Sequence, residues 1–388
     1  MTMARTLGSL PDDAAARWGD REALTFKDRR VSFRQLAAEV DRVARGLIHL
    51  GVAPGDTVAI WLTNCPEWIY ALFACAKIGA VHVPVNTRFR TADVEYVLRQ
   101  SNSTALITHD VSGPIDYLAM VRELVPIAPD SRGARLPDLK TLVITSERAH
   151  RGTCAWTELL DRARHVDDTT LRARAAAVAP ADTAFIMYTS GTTGFPKGVA
   201  RDHSLIESLV DRHRRLAVTE RDVFIDYLPL FHIFGYVDGA LGSLMAGYRH
   251  VLTETFDPDE ALDLIAREGG TQVNGFEAHL KALCDAQEAR PRNLRTLRTG
   301  LMALGQASAV ATAYRARAVL APARFLTAYG ITEVGANVSI SLRDATDEQA
   351  CETSGSPCED SPCASSIPRR ARTSPPALPA SCWCARGT

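Results

Sequence analysis

The sequence predicts an α/β fold with largely parallel sheets, on three observations. Short apolar segments alternate with amphipathic stretches at helical spacing across residues 22–107. Glycine or proline marks several of the joins between them. Several apolar segments, among them 58–62 and 184–187, read as buried strands.

In chain order, residues 23–26 form a short strand, and Lys27-Asp28-Arg29-Arg30 turns the chain. Ser32 and Gln35 make a capping box. Leu36, Val40, Val43, Leu47 and Leu50 follow at helical spacing until Gly51 ends the helix. Pro54-Gly55-Asp56 is a turn, and 58–62 is a strand. Pro66 opens a helix that runs to Ile78 and closes at Gly79. Strand 81–85, helix 91–100 and strand 105–108 continue the alternation. From 110 to 182 the pattern weakens: 140–145 reads as a strand, 130–137 as a loop, and the Arg/Ala-rich 161–178 as an exposed helix. Helix 204–216 and strand 223–228 come next. Turn-and-strand units at 247–252 and 270–273 follow, with helices at 257–267 and 277–289. Residues 294–300 lead to a sheet edge, and 324–328 form a strand. The expected organisation is one large domain over 1–357, with subdomains at roughly 1–200 and 201–345, and a separate tail over 358–388.

At 388 residues the chain can bury a large core. A net charge of −1 argues against general nucleic-acid affinity. No apolar run is long enough to span a bilayer, and residues 1–11 lack a signal-peptide pattern, so a cytoplasmic enzyme is expected. Of nine cysteines, Cys65, Cys75, Cys154 and Cys284 are scattered and read as free thiols in a reducing compartment. Cys351, Cys358, Cys363, Cys382 and Cys384 crowd into the last 38 residues.

The densest chemistry lies in Tyr188-Thr189-Ser190-Gly191-Thr192-Thr193-Gly194-Phe195-Pro196-Lys197-Gly198-Val199, directly after an apolar strand. Glycines let backbone N–H groups turn toward an anion, hydroxyls add donors, and Lys197 adds charge. That is a polyphosphate cradle, but not a Walker loop, because Lys197 lies between Pro196 and Gly198.

The order Ser-Gly-Thr-Thr-Gly-x-Pro-Lys-Gly resembles the phosphate loop of the AMP-forming adenylating enzymes. These include acyl-CoA synthetases, firefly luciferase and the adenylation domains of peptide synthetases. Two further motifs agree in order and spacing, Leu228-Pro229-Leu230-Phe231-His232 and Tyr329-Gly330-Ile331-Thr332-Glu333. The resemblance covers about residues 10–357. It implies the family's large N-terminal domain, two stacked, mostly parallel sheets with helices, without its β-barrel subdomain and C-terminal domain.

It also implies roles. The loop from Thr189 through Ser190, Gly191, Thr192, Thr193 and Gly194 to Lys197 would hold the β- and γ-phosphates of ATP. Glu333 would be a Mg²⁺ ligand with the Thr189 hydroxyl nearby, since a hard cation prefers such oxygens. Thr332 would contact the α-phosphate, and Tyr329, followed by Gly330, would lie against adenine. His232 would border the substrate carboxylate and the tunnel through which the CoA thiol enters. Phe231, Phe234, Gly235, residues 274–277 with Gly275 and Phe276, and residues 301–305 ending at Gly305 would line the acyl pocket. Gly275 is expected to leave space and Phe276 to form a wall. Met302-Ala303-Leu304-Gly305-Gln306-Ala307 departs from the family's Gly/Ala/Pro-rich segment beside adenine. Amino-acid-activating relatives place an Asp near the His232 position to pair the substrate ammonium. Here apolar residues flank His232 and Asp238 lies further along, which favours a carboxylic acid without an α-amino group.

After residue 357 the family pattern stops. The family's ribose-binding Asp, hinge and catalytic Lys have no counterpart in residues 358–388. Back-translating 360–367 with G/C-rich codons, and joining each third base to the next two, gives Leu-Pro-Val-Arg-Ile-Val-Asp. Residues 379–385 likewise give Gly-Glu-Leu-Leu-Val-Arg, and 372–375 give Asp-Leu-Pro. A frameshift close to Cys358 accounts for these strand-like runs, and resequencing the locus decides it. A cysteine metal site is the alternative, but the spacings of Cys358, Cys363, Cys382 and Cys384 fit no common zinc pattern. Composition predicts a disordered tail. The expected activity is that of an acyl-CoA synthetase for a medium- or long-chain fatty acid, impaired in this chain. The alternatives are an aryl or other carboxylate ligase of the same family and an inactive truncated product.

Overall fold

The computed structural model describes residues 6–125, 135–146, 148, 150–189, 195–304, 309–335 and 337–359. Ser190, Gly191, Thr192, Thr193 and Gly194 of the phosphate loop, Gly305, and the tail from 360 onward lie outside the described residues. The chain divides into two compact units. The first comprises Met1–Glu22, Arg30–Ile206 and Pro229–His232, and the second Ala23–Arg29, Glu207–Leu228 and Ile233–Thr388.

The first unit is built on a sheet ordered Lys197–Asp202, Thr183–Thr189, Val81–Pro84, Thr57–Trp61, Ser103–Thr108, Thr141–Ile144, Cys154–Ala155. Every pairing is parallel except the hairpin of the first two strands. Parallel strands need crossovers, and the helices supply them. Helix Phe33–His49 starts at the expected capping box, with Ser32 Oγ accepting from the Gln35 N–H at 3.2 Å and Gln35 Oε1 from the Ser32 N–H at 2.9 Å. Helix Pro66–Ile78 is buried along nearly all its length and stops at Gly79, whose φ of 74° is left-handed. Inside that helix Lys77 is buried, and its charge is answered by Asp12 at 2.8 Å and Asp41 at 2.5 Å. The exposed helix expected over 161–178 is broken. Trp156–Arg162 passes into a 3₁₀ turn, Ala163–His165, and Asp167 caps a new helix, Asp168–Ala176, by accepting from the Thr170 N–H at 2.7 Å.

His82 sits in the middle of this sheet, fully buried, its Nδ1–H donating to the Ala184 carbonyl at 3.1 Å. Burial pushes its pKa down from 6.5 to about 3. The unfolded chain therefore takes up a proton below pH 6.5 that the folded chain refuses, so stability falls as pH drops through that value. Lowering pH from 7 to 5 is expected to cost about 2 kcal/mol through this residue. His82→Asn keeps a donor toward Ala184 and should flatten that share of the acid limb in urea unfolding; an unchanged slope would exclude His82 as its source.

The second unit holds a sheet ordered Ser356–Pro357, Ser339–Ile340, Arg324–Tyr329, Thr299–Ala303, Gln272–Val273, Val223–Asp226, Arg249–Leu252, the last of which pairs in parallel with Leu24, Thr25 and Phe26. Gly275–Phe276 also pairs with Thr299–Ala303. The strand that 294–300 leads to is interior rather than an edge, because helix Ala309–Val319 crosses over to a parallel partner, Arg324–Tyr329. Gly300 permits this: a Cβ there would lie 1.8 Å from the Val273 carbonyl oxygen. Helix Pro258–Glu268 is capped by Asp257 and ended by Gly269, with φ 71°. Leu280, Leu283, Leu301, Met302, Phe325 and Leu326 form the centre of the core. Cys358 is buried in the same core, and its N–H donates to the Val338 carbonyl at 2.9 Å, so packing continues past residue 357. Among the described residues Cys65, Cys75, Cys154, Cys284, Cys351 and Cys358 are free thiols. No helix among them is long and apolar enough to cross a membrane.

Candidate functional site

The loop expected to hold phosphate connects the two strands of a β-hairpin. Strand Thr183–Thr189 pairs antiparallel with Lys197–Asp202, and Thr189 faces Lys197 across the two strands. Both ends of the loop are thereby fixed by the sheet, while Lys197 stays exposed and Thr189 is half-buried. Gly198 lies close to Ile186, Gln100 and Tyr188, with a Cβ coming within 3.0 to 3.3 Å of them, and the Tyr188 hydroxyl donates to Gln100. Phe195 is exposed on one face and stacks on Tyr96 at 5.2 Å with the other.

His232 ends the first unit's Pro229–His232 segment. The Leu230 N–H donates to Asn64 at 2.9 Å and the His232 N–H to the Pro229 carbonyl at 3.0 Å, which sets the turn. The ring retains exposed surface, yet desolvation by the surrounding protein lowers its pKa, favouring neutral imidazole. Phe231 beside it is half-buried.

In the second unit Phe234 and Gly235 are buried in a short helical turn that widens into a π-helix over Tyr236–Leu241. Phe234 meets Phe276 edge-on, with centroids 5.4 Å apart. The Phe276 N–H donates to His279 Nδ1 at 3.3 Å, leaving the neutral ring's proton on Nε2. His279 in turn lies against Tyr227 and Phe256, at 5.6 and 4.6 Å. Gly275 does not leave open space: a Cβ there would meet His279, Leu280 and Tyr227 at 3.2 to 3.4 Å, because the adjoining helix fills that side.

Tyr329 is half-buried at the end of its strand, Gly330 is exposed, and Thr332 is buried in a 3₁₀ turn, Thr332–Val334, that presents Glu333 to solvent. Gly335, with φ 81°, closes that turn. The Val338 N–H donates to the Tyr329 carbonyl at 2.9 Å, tying the far end of the loop to the strand.

Sequence reasoning missed the polar network beneath these groups. Arg212 is buried on helix Leu205–Leu216 and grips both carboxylate oxygens of Asp238 and the side-chain Oδ1 of Asn337. Asn274 donates to Asp238 at 2.7 Å. Asp226 accepts from the buried His250 ring at 3.0 Å, and Gly239 makes room for it, since a Cβ there would fall 2.1 Å from Asp226 Oδ2. Asp238 is therefore committed to Arg212 and Asn274. One signal was legible: Arg212 occupies the position on its helix where the apolar stripe Leu205, Leu209, Leu216 calls for another apolar residue.

This fold is that of the large N-terminal domain of adenylate-forming enzymes, and the chain belongs to the AMP-binding enzyme family, whose model matches residues 11–364. Among its relatives is YngI of Bacillus subtilis (strain 168), an acyl-CoA synthetase by its name, 34% identical over 77% of this chain and 56% of its own. A (methyl-dioxo-octahydroindenyl)propanoyl:CoA ligase of Mycobacterium tuberculosis is 32% identical over 85% of this chain and 62% of its own. The chain thus spans 56% and 62% of these two proteins' lengths. Among solved structures, the anthranilate CoA ligase AuaEII in complex with anthranoyl-AMP superposes with a TM-score of 0.80 at 23% identity, over 92% of this chain and 65% of that one.

No group of three or more His, Cys, Asp or Glu side chains among the described residues could hold a metal on its own.

Proposed function

We propose that this protein activates a carboxylic acid by adenylation and passes the acyl group to CoA. The acid's carboxylate oxygen attacks the α-phosphorus of Mg·ATP, the α–β anhydride bond breaks, and pyrophosphate leaves with the bonding electrons. The CoA sulfur then attacks the acyl carbonyl, loses its proton, and expels AMP. The observation that supports this reading is that each of two sequence-remote motifs sits at the end of a strand. The hairpin ends, Thr189 and Lys197, would offer a hydroxyl and a cation to the β- and γ-phosphates. The turn after Tyr329 offers Thr332 to the α-phosphate and Glu333 to the cation. Both neutralise charge between reactants that otherwise repel. Neutral His232 borders the carboxylate, Tyr329 and Gly330 the adenine, and Phe231, Phe234, Gly235, Gly275 and Phe276 the acyl group. With Asp238 locked to Arg212, no carboxylate in that segment is left for a substrate ammonium, which supports an acid without an α-amino group.

The finer reading is a medium- or long-chain fatty acid. Residues 358–388 as they stand supply no counterpart of the family's catalytic Lys, so exchange is weaker here than in a version with the shifted frame restored. The edge-on Phe234–Phe276 pair and the Tyr227–His279 stack favour a second reading, a ring-bearing acid. ATP–pyrophosphate exchange with octanoate, palmitate, benzoate and a fused-ring propanoate tests all of these. Acid-dependent exchange is expected, strongest for one class and greater in the frame-restored chain. Failure of both chains to exchange with any acid, together with no binding of ATP or of an acyl-sulfamoyl adenosine, overturns the proposal.

A further inference from the structure

Arg212 joins the two parts of the second unit that the adenylation reading uses. Its side chain is 2% exposed, and its guanidinium carbon lies 5.3 Å from the centroid of the Phe234 ring. Through Asp238 it reaches Asn274, whose Oδ1 accepts from the Leu301 N–H at 2.8 Å. Asn274 directly precedes Gly275-Phe276, so this branch fixes both Phe234 and the strand that carries Phe276. The other branch runs through Asn337, whose Nδ2 donates to the Ser208 carbonyl at 2.8 Å. Ser208 Oγ then donates to the carbonyl of Gly335, the residue that closes the Glu333 turn, at 3.2 Å. The π-helix over Tyr236–Leu241 belongs to the same device, because it carries Asp238 in the buried interior.

We propose that Arg212 is a positioning residue that holds the acyl wall and the nucleotide turn in one register. This role rests on the adenylation reading. A planar fork that bonds a carboxylate twice and an amide once, with a face on an aromatic ring, fixes three groups relative to one another. The benefit falls on the joined species. Acid and nucleotide bound separately tolerate a shift between their subsites, whereas an acyl-adenylate, like the attacking geometry that forms it, does not.

Two ligands read this out by calorimetry on the full chain: AMP, and an acyl-sulfamoyl adenosine, a non-hydrolysable acyl-adenylate mimic, with octanoyl and benzoyl versions run in parallel. Asn337→Ala cuts the branch to the turn, and Arg212→Lys keeps the charge but loses the fork. Each is expected to weaken the mimic by about tenfold while AMP changes by less than about threefold. Ser208→Ala removes one half-buried hydrogen bond, leaves the core intact should either of the others unfold, and is expected to move the mimic in the same direction by about threefold. Equal loss of mimic and AMP, or a fall in melting temperature with both affinities unchanged, overturns the positioning role and leaves the adenylation reading standing. No binding of either ligand to the unsubstituted chain overturns the adenylation reading itself, and this inference with it.

Discussion

Asp238→Ala is expected to lower the free energy of unfolding by about 3–5 kcal/mol, a large share of the marginal stability of a folded domain. The loss comes less from the missing attraction than from what remains. Arg212 would keep its charge at a 2% exposed position, with the Asn337 Oδ1 as the remaining side-chain acceptor among the described residues. The Asn274 Nδ2 donor to Asp238 would lose its acceptor as well. A guanidinium cannot escape by giving up its proton, as a buried lysine can. The double substitution Arg212→Met with Asp238→Leu removes both charges at similar volume and is expected to recover most of the loss, because replacing a whole buried pair is often close to neutral. Urea unfolding followed by far-UV circular dichroism at pH 7 measures both. A single-variant loss below about 1 kcal/mol, or a double variant no better than the single, contradicts the account of a desolvated pair.

Glu333→Gln is expected to reduce acid-dependent ATP–pyrophosphate exchange by about a hundredfold or more, equivalent to about 2.7 kcal/mol of transition-state stabilisation. Glu333 is exposed in its turn, so the substitution is expected to leave the fold intact, which far-UV circular dichroism checks. The amide keeps the shape and one oxygen but loses the charge that a hard cation prefers. Binding of Mg·ATP should weaken with it, while AMP, which carries neither the polyphosphate nor its cation, binds as before. Equal weakening of Mg·ATP and AMP would reassign Glu333 to holding the nucleotide itself, and an unchanged exchange rate would remove it from the reaction.

Much of the fold was legible because its signals are local. Ser32 with Gln35 specifies a helix start within one turn of chain, and Gly79 and Gly269 supply the left-handed residue that ends one. The apolar runs at Thr57–Trp61 and Val81–Pro84 announce strands buried on both faces. Where the local pattern misled, tertiary partners had the decision. The strand Thr299–Ala303 is interior because Gly300 lets a neighbouring strand's carbonyl pass where a side chain would stand. The Arg/Ala-rich stretch broke into two helices because Asp167 caps a fresh one.

The family is written in the sequence: three motifs in fixed order point to the AMP-binding enzymes without any knowledge of packing. The fate of the charges between them is written only in the packed chain. Arg212 meets Asp238 across 26 residues and Asn337 across 125, separations at which no periodicity constrains a partner. A charged residue on an apolar stripe signals that some partner exists. Which one answers it is fixed only when chain segments remote in sequence are packed together and water, the alternative partner, is excluded.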